Sequence, residues 1–298
     1  MITPLFHIAR DIKLSHSVFA MPFAVLGAFL ATTHRAQAGG SKWPHWMEFV
    51  LVIACMIFAR TFAMCVNRFA DANMDAENPR TAGRAVPSGA VSRAMMGTVA
   101  LLSGGGFIAC CAGFLIWHNP WPIALSLPVL ALLGAYSYAK RFTWACHLLL
   151  GLTLAISPCA AAISLDPKTL LTPTPWLLCG MVWCWVAGFD ILYALQDVAS
   201  DRENGVFSIP ASLGEKTALW ISRMLHLGSA GFLAALIVAG KPLGNGFAVA
   251  AAATGALLLL EHALVALDAK KHLPMAFFTV NGVISLILGC AGVWDLMR

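Results

Sequence analysis

Apolar residues along this chain come in long unbroken blocks. Runs free of Asp, Glu, Lys and Arg cover 14–34, 94–139, 142–165, 169–189, 224–240, 242–260 and 273–294. A helix crosses a bilayer core with about 20 apolar residues, so most runs are one span each. The run 94–139 is too long for one, and His118-Asn119-Pro120-Trp121-Pro122 in its middle splits it into a hairpin. Two further spans carry charge: 46–67 contains Arg60, and 177–197 ends in acids. The pattern predicts an all-α polytopic membrane protein with nine helices, at 15–33, 46–68, 94–116, 121–139, 143–163, 176–197, 217–239, 246–267 and 274–295. Polar and apolar residues do not alternate, which excludes an outer-membrane barrel.

Composition agrees. Of 298 residues, 59% are hydrophobic and 11% charged, against about 25% charged in soluble proteins. So few charges cannot solvate a soluble domain of this size, which excludes a cytosolic enzyme and a disordered chain. The net charge of +5 is a topology signal rather than a footprint for nucleic acid, and no nucleic-acid partner is expected. With the N-terminus cytoplasmic, thirteen basic residues fall on the cytoplasmic side: Arg10, Lys13, Arg68, Arg80, Arg84, Arg93, Lys140, Arg141, Arg202, Lys216, Arg223, Lys270 and Lys271. Five fall opposite, namely Arg35, Lys42, Lys168, Lys241 and Arg298, and Arg60 lies within a span. This bias predicts an inner-membrane protein with its C-terminus on the far side. Arg10, Lys13 and Ala36-Gln37-Ala38 imitate a signal peptide. The apolar stretch between them is of full spanning length, however, so an uncleaved first helix is expected.

The nine cysteines show no CxxC pair and no metal-like spacing with His, so neither disulfide nor zinc is expected. Glu261 and His262 stand together inside the eighth span. Such a pair is either functional or a helix-to-helix hydrogen bonder.

Seven of the 14 acids fall in two short windows: Asp71, Asp75 and Glu77, then Asp190, Asp197, Asp201 and Glu203. Asn67, Asp71 and Asp75 recur every four residues, so on a helix they point within an arc of about 80°. Asp190, Tyr193, Asp197 and Asp201 are expected to do the same. A solvated acidic face is the plain alternative. Like carboxylates at this spacing weaken a helix unless a cation neutralises them. Hard oxygen donors of this kind select Mg²⁺, typically together with a substrate phosphate. Arg68, Arg80, Arg84, Lys140, Arg141 and Arg202 surround the two windows. Metal-binding acids ringed by Arg and Lys at the end of an apolar bundle point to a lipid diphosphate.

The first window reads Asn67-Arg68-Phe69-Ala70-Asp71-Ala72-Asn73-Met74-Asp75, and Pro79-Arg80-Thr81-Ala82-Gly83-Arg84-Ala85-Val86-Pro87-Ser88-Gly89 follows. The second reads Asp190-Ile191-Leu192-Tyr193-Ala194-Leu195-Gln196-Asp197-Val198-Ala199-Ser200-Asp201, with Ser208-Ile209-Pro210-Ala211 beyond it. Together they resemble the signatures of the UbiA superfamily of intramembrane aromatic prenyltransferases. Arg68 departs from the family pattern, which has Asp there. This form, with Ile12-Lys13-Leu14-Ser15-His16-Ser17-Val18-Phe19-Ala20-Met21-Pro22-Phe23, resembles the 4-hydroxybenzoate polyprenyltransferase branch. That branch includes enzymes acting on 1,4-dihydroxy-6-naphthoate in the futalosine route to menaquinone.

The resemblance implies one domain over 1–298, a nine-helix bundle with a central cavity, and motif loops 67–89 and 190–211 on the cytoplasmic side. It implies Mg²⁺-dependent transfer of a polyprenyl group from polyprenyl diphosphate to an aromatic acid in ubiquinone or menaquinone biosynthesis. The expected metal set is Asn67, Asp71, Asp75, Asp190, Asp197 and Asp201. Arg60, Arg80, Arg84, Lys140, Arg141, Arg202 and Ser208 would bind substrate. Tyr193, with Phe69, Phe189 and Tyr138 as further candidates, would stabilise an allylic cation. Arg60 shares the face of Asn67 about 10 Å deeper, where it suits the acceptor's carboxylate or the orienting of a metal-site acid, a structural hydrogen bond being the plain alternative. A cation-coupled transporter is the rival class, but it would place its carboxylates near the bilayer midplane. CDP-alcohol phosphotransferases would join their aspartates in one continuous stretch.

Overall fold

The computed structural model describes the backbone of residues 2–12, 14–240 and 242–298, and the side chains of 6–12, 17–240, 242–267, 275 and 277–298. Lys13 and Lys241, used in the charge count, lie outside the described residues, as do the side chains of Lys270 and Lys271. Among the described residues there are 13 α-helices and no strand. They are α1 Ile2–Asp11, α2 Met21–Gln37, α3 Trp46–Glu77, α4 Arg93–Gly113, α5 Trp121–Ala139, α6 Cys146–Ala155, α7 Ser157–Leu165, α8 Pro173–Ala194, α9 Val198–Glu203, α10 Ile209–Leu213, α11 Glu215–Ala239, α12 Asn245–Pro274 and α13 Asn281–Met297. Nine stretches among the described residues are long and apolar enough to cross a membrane, and they coincide with the nine expected spans. The all-α, multi-pass reading holds.

Local chemistry explains where these helices start. His45 and Glu48 form a reciprocal cap on α3, and the Ser92 hydroxyl accepts the Met95 N–H at the start of α4. Asp295 accepts the N–H groups of Gly244, Gly246 and Phe247, and so closes the start of α12. The fifth span is broken into α6 and α7, with Pro158, which has no N–H to give, in the first turn of α7. Gly27 on α2 faces the Pro158 backbone so closely that a Cβ there would collide with it. Small residues at such crossings let membrane helices approach, and α2 packs on both α7 and α13.

The core sits between α2, α8, α12 and α13 around Phe23, Trp185, Phe189 and Ile284. Glu261 and His262 hydrogen-bond between helices, as one of the two readings expected. The Asn281 amide donates to Glu261 at 2.8 Å, and His226 meets His262 at 3.0 Å. The α1 helix was not expected. Its Ile8, and Ile12 just beyond it, are buried against Cys65, Ala85, Val91 and Met96, beside the first motif.

Two departures bear on the site. The third helix runs on past the predicted 68 to Glu77, so span and first motif form one rod. The second motif is not one even helix. Residues Leu195–Asp197 form a 3₁₀ turn between α8 and α9. Its tighter winding breaks the even step on which a single stripe from Asp190 to Asp201 depended.

Candidate active site

The C-terminal end of α3, the loop after it, the α5–α6 turn and the end of the sixth span meet at one end of the bundle. They enclose a polar cavity of about 150 Å³ lined by Asn67, Asp71, Asp75, Arg80, Arg84, Lys140, Asp197 and Asp201. Residues of both motifs therefore line one cavity.

Each acid in the cavity has a partner. Lys140 Nζ lies 2.5 Å from Asp71 Oδ2, to which the Asn67 amide also donates at 3.0 Å. Arg141 stands 3.6 Å from the other Asp71 oxygen and donates to the Ala70 carbonyl. Arg84 Nη1 donates to Asp75 Oδ1 at 2.6 Å. Arg80 forks onto Asp197 with bonds of 2.8 and 2.6 Å, and its third nitrogen reaches the Tyr193 hydroxyl at 3.2 Å. Burial, the largest single influence, lowers the pKa of Arg80, but the hydrogen bonds to Asp197 and the neighbouring Tyr193, Asp197 and Asp75 together leave it raised. Ser208 donates to Asp201 Oδ2 at 2.7 Å.

The remaining predicted residues lie elsewhere. Asp190 does not line the cavity and accepts a 2.6 Å hydrogen bond from His147. Arg202 is exposed and donates to the Ala211 carbonyl. Phe69 lies under the Arg93 guanidinium and Tyr138 under that of Arg141. Phe189 packs in the core between Phe19, Trp185 and Phe277. Sequence reasoning missed Phe277, whose ring stacks on Tyr193 at 4.2 Å. It also missed His147 and Asp11, which no motif marks.

Arranged in this way, no three His, Cys, Asp or Glu side chains among the described residues converge on a metal position. The donors nevertheless suit Mg²⁺. Asp71 Oδ1 and Asp75 Oδ2 are buried oxygens that accept no hydrogen bond, and both belong to residues lining the cavity. These are hard carboxylate oxygens, the type that Mg²⁺ takes.

A second cavity of about 200 Å³ runs through the bundle, with an almost wholly apolar lining. Along α5 it is lined from Pro122 to Tyr136, a length of roughly 20 Å of helix. Arg60 lines it and donates to the Ile12 carbonyl at 3.4 Å. On α3 the apolar cavity is lined by Arg60 and Met64 and the polar one by Asn67 and Asp71, so a charged chamber follows an apolar tunnel along the helix, an arrangement complementary to an amphiphile with an anionic head.

Residues 20–283 match the model of the UbiA prenyltransferase family. The chain belongs to that family. It is 34% identical over 178 residues to a 4-hydroxybenzoate octaprenyltransferase of Paracidovorax citrulli. That match covers 59% of this chain and 57% of the relative, so the aligned part spans less than two thirds of the relative's length. The apo structure of a UbiA homologue from Aeropyrum pernix K1 superposes with a TM-score of 0.82 at 31% identity, covering 95% of this chain and 98% of that one. A UbiA homologue from Archaeoglobus fulgidus, bound to DMAPP and Mg²⁺, shares the fold at a TM-score of 0.73 and 16% identity, covering 97% and 99% of the two chains. The UbiA fold is thus shared along nearly the whole chain.

Proposed function

We propose that this UbiA-family protein transfers a polyprenyl group from polyprenyl diphosphate to a ring carbon of an aromatic acid of the 4-hydroxybenzoate type, in respiratory quinone biosynthesis. The observation that carries this reading is the joining of both motifs, acids with bases, in one polar chamber beside an apolar tunnel. The name of the Paracidovorax relative and the ligands of the Archaeoglobus homologue support the same chemistry. Asp71, Asp75, Asp197 and Asp201 would hold Mg²⁺, with the Asn67 amide orienting Asp71, and the metal when bound neutralises charge on diphosphate oxygens.

Arg80, Arg84, Lys140 and Arg141 release their carboxylates and take the diphosphate oxygens instead. As the allylic C1–O bond breaks, these cations stabilise the charge that grows on the leaving group. The Tyr193 ring faces the allylic cation. The apolar tunnel keeps water from that cation, while Arg60 holds the acceptor's carboxylate. The ring carbon ortho to the acceptor's hydroxyl then attacks, and its proton is lost. The protein sits in the inner membrane with this site and its N-terminus on the cytoplasmic side.

Membranes containing the protein, labelled polyprenyl diphosphate and Mg²⁺ should give a prenylated product with 4-hydroxybenzoate. The Asn67-Arg68 form of the first motif makes 1,4-dihydroxy-6-naphthoate the second acceptor to try. EDTA should abolish the product. Absence of Mg²⁺-dependent product with both acceptors would overturn the proposal.

A further inference from the structure

Asp190 opens the second motif yet stays out of the polar cavity. Its Oδ2 is engaged by Nδ1 of His147 at 2.6 Å. His147 lies at the start of α6 and is 5% exposed. Its other ring nitrogen, Nε2, accepts the backbone N–H of Ile209 at 3.3 Å. A nitrogen that accepts an amide N–H carries no proton, so the network assigns the proton to Nδ1, which donates to Asp190. The carboxylate thereby fixes both the tautomer and the tilt of the ring.

Ile209 follows Ser208, whose hydroxyl donates to Asp201 Oδ2 at 2.7 Å and accepts the Ala211 N–H at 3.3 Å. The same segment is held by a bond from Phe207 N–H to the Lys140 carbonyl, at 2.8 Å, and by the Cys146 thiol on the Phe207 carbonyl. A continuous path runs from Asp190 through His147 to Ile209 and Ser208, and ends on Asp201 inside the cavity. Were Asp190 to turn to a metal, His147 would be left with a buried N–H and no acceptor, an arrangement that buried polar groups avoid.

We propose that Asp190 and His147 are a positioning pair that aims Asp201, and that Asp190 is not itself a metal ligand. The inference rests on the reading of Asp201 as a Mg²⁺ ligand. Residues that orient a metal's ligands typically change affinity by about 10- to 100-fold when altered.

The test uses the full chain in detergent, with Mn²⁺ and inorganic pyrophosphate as probes, and follows bound Mn²⁺ by electron paramagnetic resonance. Hydrogen exchange of residues 206–211 is measured on the same samples. Asp190→Asn, His147→Asn and Ser208→Ala should each weaken Mn²⁺ binding about tenfold without changing its stoichiometry. Combining Asp190→Asn with Ser208→Ala should add little, because both act along one path. Exchange at 206–211 should quicken in Asp190→Asn and His147→Asn but not in Asp201→Asn. The proposal is overturned if Asp190→Asn lowers the number of bound ions while His147→Asn and Ser208→Ala bind as wild type. Unchanged exchange at 206–211 in the Asp190 and His147 variants overturns it equally. A wild-type chain that binds no Mn²⁺ with pyrophosphate refutes the metal reading, and the role of Asp201 with it. Exchange then still decides whether the pair holds the segment.

Discussion

Replacing Arg60 should separate the two proposed substrates. Arg60 lines the apolar tunnel on the helix that carries Asn67, seven residues earlier, or about 10 Å deeper along the axis. In the function proposed above, prenyl diphosphate would be held by the chamber at the helix end, whereas an aromatic acid in the tunnel would present its carboxylate to Arg60. A hydrogen bond to a charged group contributes about 1.5–3 kcal/mol, and each 1.4 kcal/mol is about a factor of ten in affinity. Arg60→Ala should therefore raise the acceptor KM roughly 10- to 150-fold, and the prenyl diphosphate KM by less than about twofold. Arg60→Lys keeps the charge but loses the planar fork, and should fall between wild type and Ala. The assay varies each substrate with the other saturating, and repeats the series with phenol in place of 4-hydroxybenzoate. Phenol has no carboxylate, so wild type and Arg60→Ala should use it equally well. Equal shifts in both KM values, or the same loss with phenol as with the acid, would refute the acceptor role of Arg60.

Asp75→Asn and Asp197→Asn should each cut turnover by more than about 100-fold, and added Mg²⁺ should not restore it; activity within a few-fold of wild type would sink their role. Because Asp71, Asp75 and Asp197 are each paired with a base, Mg²⁺ and pyrophosphate should bind with mutual enhancement. Calorimetry with either alone should show weak binding, and full-strength binding of Mg²⁺ alone would contradict the charge exchange. Gly27→Ala pushes a methyl group into the Pro158 backbone and should lower stability in detergent by about 1–3 kcal/mol, while Gly105→Ala, which meets nothing within 4 Å, should leave the melting temperature unchanged. Arg35 makes a two-pronged bond to Glu48, which is only 1% exposed. Arg35→Ala strands that carboxylate and should cost about 1–3 kcal/mol, with Glu48→Gln in the same background recovering part of the loss in a thermal melt.

The spans were legible because twenty apolar residues without charge have few soluble alternatives, and the end of α5 at Ala139 falls where the pattern put it. The convergence of the two motifs was legible too, since scarce charges in an apolar chain cluster for a reason. What escaped the sequence has a common physical origin. The 3₁₀ turn at Leu195–Asp197 contains neither Gly nor Pro and follows from tertiary contacts, with Asp197 held by Arg80 and Asn78 from a distant loop. His147 carries no local signal, for its partners Asp190 and Ile209 lie 43 and 62 residues away. The α1 helix is too short to read as a span, and its place depends on Ile8 and Ile12 finding the far end of α3.

Arg68 shows how one charge can be moved from chemistry to architecture. In the signature that the first motif resembles, this position is a carboxylate. Here the guanidinium is buried, reaches Asp11 of α1 at 3.4 Å, and donates to the Asn67 side-chain oxygen at 2.7 Å. Asp11 in turn accepts the Ala85 N–H at 3.3 Å, so α1, α3 and the loop bearing Arg80 and Arg84 are fastened at one point. With its oxygen taken by Arg68, Asn67 turns its amide toward Asp71 and acts as a donor to that carboxylate. In the function proposed above, the metal-facing work would fall to Asp71, Asp75, Asp197 and Asp201, of which the first three are each paired with a base and Asp201 with the Ser208 hydroxyl. Four bare carboxylates at the edge of a low-dielectric bundle would repel one another strongly. Pairing three of them with bases that a diphosphate could draw away, and the fourth with the Ser208 hydroxyl, offsets most of that repulsion and leaves the cations free to exchange partners.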